Sequence, residues 1–208
     1  MVEINISEDE KTILKEVAGM GLGHASSALE QLMNKKVELL LPEIDILAPT
    51  DIKRIFPDNA VLVGVHLHVL GDVKGNMLYL FKKQDACNMV KVLNNGVKAQ
   101  VDCLNDFGIS TIKEVSNILS GAYLSALSSF SGMNVLPSLP HMTVDNAESI
   151  FDFLSDGSQD SLQLIVIRSK LAIKDIELET EGMLVLVLGH EELNKLLTKI
   201  KEKYGANV

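Results

Sequence analysis

Glu114 and Asn117 stand three residues apart in a stretch, about 105–132, whose apolar spacing predicts one long helix. A helix turns about 100° and rises about 1.5 Å per residue, so the two side chains leave it about 60° apart and about 4.5 Å apart along the axis. Together they suit one task. A carboxylate anchors a cation such as a lysine, and a carboxamide, with one acceptor and two donors, holds and aims a water. Aiming water at a phosphoryl group is a catalytic contribution in itself, and small GTPases use a glutamine for it. On an exposed helix the same pair is also ordinary solvated surface, so one helix alone does not decide between the two readings.

The helix that must carry the pair has a narrow polar or small stripe: Ser110, Glu114, Asn117, Gly121, Ser125 and Ser128. Val115, Ile118, Leu119, Ala122 and Ala126 lie away from it and are the expected core face. The same stripe occurs near the start of the chain as Thr12, Glu16, Gly19, Gly23, Ser27 and Glu30. The two stretches align without a gap at an offset of 98 residues, and ten of the thirty pairs in 13–42 are identical, among them Leu41-Pro42 against Leu139-Pro140. A repeat of this length implies two copies of one supersecondary unit related by pseudo-twofold symmetry. The sharpest difference between the copies is Gly19 against Asn117.

Around the helices the chain reads as α-β-β-β-α twice. Ser7 and Glu10 have capping-box spacing and open a helix to about residue 34. Residues 36–46 read as a strand with Pro42 inside it, hence an edge strand or a bulge. Residues 60–70 alternate, and Gly71-Asp72 turns them into a partner strand at 74–81. A short helix follows at 84–93. The second copy repeats the order: a strand near 139–144 carrying Pro140, a short helix at 145–154, a hairpin of 162–173 and 176–188, and an amphipathic helix at 190–204. The expected fold is α/β of the α+β type, with a continuous, mainly antiparallel sheet and the two long helices packed on it. A single domain, 1–208, would comprise two homologous halves, about 7–100 and 105–205.

Composition narrows the function. A net charge of −9 disfavours nucleic acid and anionic membranes. The start of the chain lacks an apolar signal core, and the serine-rich run 115–144 is too polar for lipid. Cys87 and Cys103 are the only cysteines, and in a cytoplasmic chain they are expected to be reduced. His66 and His68 share one side of a strand, but two ligands do not make a metal site. Gly19, Gly21 and Gly23 lie inside a predicted helix rather than after a strand, which argues against a dinucleotide loop.

With these residues assembled, the chain resembles the CheC-type phosphatases of bacterial and archaeal chemotaxis, related to CheX and to the phosphatase part of FliY. That family's motif is Asp or Ser, three residues, Glu, two residues, Asn, twenty-two residues and Pro. Ser110, Glu114, Asn117 and Pro140 match it in full; Thr12, Glu16, Gly19 and Pro42 match it only at Glu and Pro. The resemblance implies dephosphorylation of CheY-phosphate, with Glu114 pairing with the regulator's active-site lysine and Asn117 orienting water. Mg²⁺ would belong to the regulator, so no cofactor or metal is expected on this chain, and one working site is expected rather than two. A second implied partner is the receptor deamidase CheD, docking on the short helix of the second copy, where Phe151 and Leu154 are the candidate exposed residues. The alternative is a non-catalytic adaptor for CheD or a flagellar switch component. The switch role is weakened because 208 residues leave no room for the extra C-terminal domain of FliY-type proteins.

Overall fold

The computed structural model describes residues 6–40, 43–48, 51, 55–56, 60–93, 103–151, 162–173 and 178–205. The described elements run α1 (Glu8–Met33), β1 (Val37–Leu39), β2 (Glu43–Leu47), β3 (Val61–Gly71), β4 (Gly75–Lys82) and α2 (Lys83–Leu93). They continue with α3 (Asp106–Ser131), β5 (Val135–Pro137), β6 (His141–Asn146), α4 (Ala147–Phe151), β7 (Leu162–Ile173), β8 (Leu178–Gly189) and α5 (His190–Gly205).

Both long helices begin where the sequence supplies caps. Ser7 Oγ accepts from Glu10 N, and the Glu10 carboxylate accepts from Ser7 N at 2.7 Å, closing a capping box. Asn105 caps α3 by accepting from Gly108 N at 2.9 Å. Glycine is required at 108, because a Cβ there would collide with the Cys103 carbonyl oxygen. Both helices end on a left-handed residue, Asn34 and Gly132.

The eight described strands form one antiparallel sheet in the order β1-β7-β8-β4-β3-β5, with β2 pairing β7 and β6 pairing β3. The order reads the same from either end. Each copy's long hairpin, β3–β4 or β7–β8, lies at the centre, and its outer strand is covered by the other copy's short strands. The sheet differs from the expectation of three strands per half in one respect. The stretch 36–46 forms two strands, β1 and β2, and the corresponding second-copy stretch forms β5 and β6 with Pro140 in the break. Proline has no N–H for a ladder bond, so the chain breaks there and pairs again. Pro42 lies outside the described residues.

The sheet is covered on both faces. Val63, Val65, Leu67 and Val69 face the core beneath α1, α3 and α5, while Leu62, Leu78, Leu80 and Val185 form a second cluster with Ile150 and Phe151 of α4. Cys87 and Cys103 are joined in a disulfide, with Cα atoms 5.1 Å apart. This corrects the expectation of reduced thiols: α2 and the approach to α3 bring the two residues within bridging distance.

Candidate functional site

The long helices present opposite faces to core and solvent. Val115, Leu119 and Ala126 of α3 are buried, and Ile118 and Ala122 pack against the edge of the core. Ser110, Glu114, Asn117 and Ser125 are exposed. Gly121 and Ser128 are half-buried. The Glu114 and Asn117 side chains make no hydrogen bond or ion pair with any described residue. They line none of three cavities among the described residues, whose linings include Arg168, His66 and Lys195. A carboxylate and an amide held side by side on a helix surface, with their polar atoms uncommitted, cannot surround a small substrate. They can complete a site that another macromolecule brings.

The C-terminal end of the stripe serves the fold instead. Ser128 Oγ donates to Val135 O and accepts from Val135 N, both at 3.2 Å. In the first copy, Glu30 Oε1 accepts from Val37 N at 3.1 Å. These equivalent positions fix the first edge strand of each copy to its long helix. The usable part of the second stripe is therefore its N-terminal half.

On α1, Thr12 and Glu16 are exposed and Gly19 is half-buried. Thr12 Oγ1 donates back to Glu8 O at 2.9 Å. A Cβ at Gly19 would meet nothing within 4 Å, so packing does not demand glycine there. At Gly21 it does: a Cβ would lie 2.9 Å from Tyr123 Cα, because α1 and α3 cross at that point. The helix pair thus displays two related faces, one with Glu and Asn and one with Glu and Gly.

Pro140 lies in the break between the edge strands β5 and β6, where the neighbouring Ser138 holds β3 by donating its N–H to His68 O at 2.9 Å. Phe151 is 3% exposed and packs under α4, against its expected role as a docking residue. A five-residue helix lying on the sheet turns that ring inward. Leu154 lies outside the described residues.

His66 and His68 do share a side of β3, and His141 of β6 is the cross-strand partner of His66. Asn76 Oδ1 sits 2.9 Å from His66 Nε2 and 3.0 Å from His68 Nδ1. Burial, helped by the neighbouring His68 and His141, holds the His66 imidazole below the usual histidine range. Among the described residues no three His, Cys, Asp or Glu side chains are arranged to hold a metal ion. No described helix is long and apolar enough to cross a membrane.

Phe107 is absent from the expected stripe, yet it is 50% exposed and falls on the same line, seven residues before Glu114. Its signal is that spacing, which returns to the same side of the helix after two turns.

No family model matches the chain. The chain is 25% identical over 199 residues to the CheY-P phosphatase CheC of Bacillus subtilis, covering 94% of this chain and 95% of that one. It is 22% identical over 125 residues to the flagellar motor switch phosphatase FliY of the same species, covering 60% of this chain and 32% of that one. Among solved structures, Thermotoga maritima FliY superposes with a TM-score of 0.77 at 16% identity, over 98% of this chain and all of that one, and so shares the fold.

Proposed function

We propose that this chain, a member of the CheC family, is a phosphatase that dephosphorylates the aspartyl phosphate of a CheY-type response regulator through Glu114 and Asn117. One observation carries the reading: the two groups are exposed one turn apart on α3, with no partner among the described residues. In Bacillus subtilis the relative that aligns over nearly the whole chain is a CheY-P phosphatase. A CheX–CheY–BeF3–Mg complex from Borrelia burgdorferi contains a similar fold, with a TM-score of 0.53 at 16% identity over 82% of this chain and 96% of that one.

In the proposed reaction the regulator docks on α3. The Glu114 carboxylate pairs with the regulator's lysine, and the Asn117 amide holds a water in line with the phosphorus. The water oxygen bonds to phosphorus while the acyl P–O bond breaks, releasing inorganic phosphate and the regulator's free carboxylate. Water gives up its protons to the products and solvent. The dominant contributions are placement and alignment, which are large for phosphoryl transfer. Mg²⁺ belongs with the regulator, so the hydrolytic step asks for no metal from this chain.

The first face, with Glu16 but no amide at Gly19, is assigned no hydrolysis of its own. The compartment proposed is the cytoplasm, where such regulators act. CheD is the second proposed partner. Because Phe151 faces inward, its footprint on α4 is assigned to the exposed Glu148 and Ser149. Loss of CheD from a pull-down on Ser149→Arg tests that footprint, and undiminished capture removes it.

Decay of regulator phosphate with and without the chain tests the main reading. Acceleration by the wild type and its loss in Asn117→Ala are expected. Decay no faster than the regulator's own would leave the adaptor reading in its place.

A further inference from the structure

We propose that Phe107 is the apolar anchor by which the α3 face holds the response regulator, and that Asp9 in its place disables the α1 face as much as the missing amide does. This inference rests on the phosphatase reading above and names a determinant of its partner binding.

Geometry places Phe107 inside an interface of ordinary size centred on the Glu–Asn pair. It lies two helical turns from Glu114, about 10 Å along α3 and on the same side. A specific protein–protein contact covers about 800 Å² per partner, a patch about 16 Å in radius. A regulator centred on Glu114 and Asn117 therefore covers Phe107. Phe107 is half exposed, on a stripe otherwise made of small and polar side chains. Buried aromatic groups near the centre of an interface carry a large share of its affinity. On the same stripe, Ser110 and Gly121 stand low enough to let a partner's surface reach the ring.

The repeat supplies an internal comparison. At the offset of 98 residues, Phe107 aligns with Asp9, which is exposed on the first turn of α1. Glu114 aligns with Glu16 and Asn117 with Gly19. Anchor and amide are thus present together on one face and absent together from the other. Met20 and Leu32, the exposed large apolar residues described on α1, align with Ile118 and Phe130, which pack against the core, so neither is the counterpart of Phe107. A carboxylate at position 9 suits the positive end of α1 but offers a partner no apolar contact.

The experiment follows decay of regulator phosphate over a range of regulator concentrations. Phe107→Ala is expected to raise KM about tenfold or more, the cost of losing a hot-spot side chain, with kcat within about twofold of wild type. Phe107→Leu is expected to restore most of the affinity. An unchanged KM in Phe107→Ala overturns the proposal, and so does a loss confined to kcat. Should the wild type fail to speed decay, the phosphatase reading falls first. Affinity for the beryllofluoride-loaded regulator then decides the anchor, and equal binding by wild type and Phe107→Ala overturns it. The second half of the proposal is tested on Asn117→Ala. There, Asp9→Phe with Gly19→Asn is expected to recover hydrolysis on the α1 face, whereas Gly19→Asn alone is not. Equal recovery by the single change overturns the role given to Asp9.

Discussion

At Asn117 the expected effect is on turnover rather than binding. Asn117→Ala removes the group that aims water and leaves Glu114 and Phe107 to dock the regulator. A drop of about 10²–10³ in kcat is expected, comparable to removing one positioned donor from a catalytic site, with KM little changed. Single-turnover release of phosphate from a preformed complex measures it. A matching rise in KM would assign Asn117 to docking instead. Spacing made the Glu–Asn pair legible in the sequence, because helical periodicity fixes which residues share a side. Phe107 was not legible. An aromatic at the start of a helix reads as a core residue until coordinates show half its surface in solvent. Phe151 failed in the opposite direction: its spacing permitted exposure, but α4 turns its ring under the helix.

Between the two long helices, the Gly-x-Gly-x-Gly run separates by position. A side chain at 21 would press on the Tyr123 backbone, whereas one at 23 meets open space. Gly21→Ala is expected to destabilise the fold by about 1–3 kcal/mol, as overpacking does where backbone must move. Gly23→Ala is expected to be neutral or to stabilise by up to about 1 kcal/mol, since alanine is the better helix former and costs less chain entropy. Denaturant midpoints at equal slope compare them. A loss at 23 as large as at 21 would mean that α1 and α3 cross elsewhere. The sequence placed Gly19, Gly21 and Gly23 inside one helix, but not which of them meets α3. The strand boundaries were obscured for a related reason. A proline marks where pairing must stop, yet whether the chain resumes as a second strand depends on a partner, β7 or β3, far away in sequence.

Across the whole molecule, the sheet's order makes each half depend on strands from the other. β7 is edged by β1 and β2 from the first copy, β3 by β5 and β6 from the second, and β4 meets β8 in the middle. Separating the copies would open both sides of each central hairpin and strand four short segments without partners. An exposed hairpin edge is a template for pairing with another chain, and a two-stranded ribbon has little independent stability. Residues 1–102 and 103–208, prepared apart under reducing conditions, are therefore expected to self-associate or to lack a cooperative unfolding transition. Mixed in equal amounts, they are expected to recover the far-ultraviolet dichroism of the intact chain as a 1:1 complex. Light scattering and thermal melts on each half and on the mixture measure this. A half that melts cooperatively as a monomer would show that the long hairpin with its own helices suffices. The exchanged edge strands would then be decoration on two independent units rather than what makes them one.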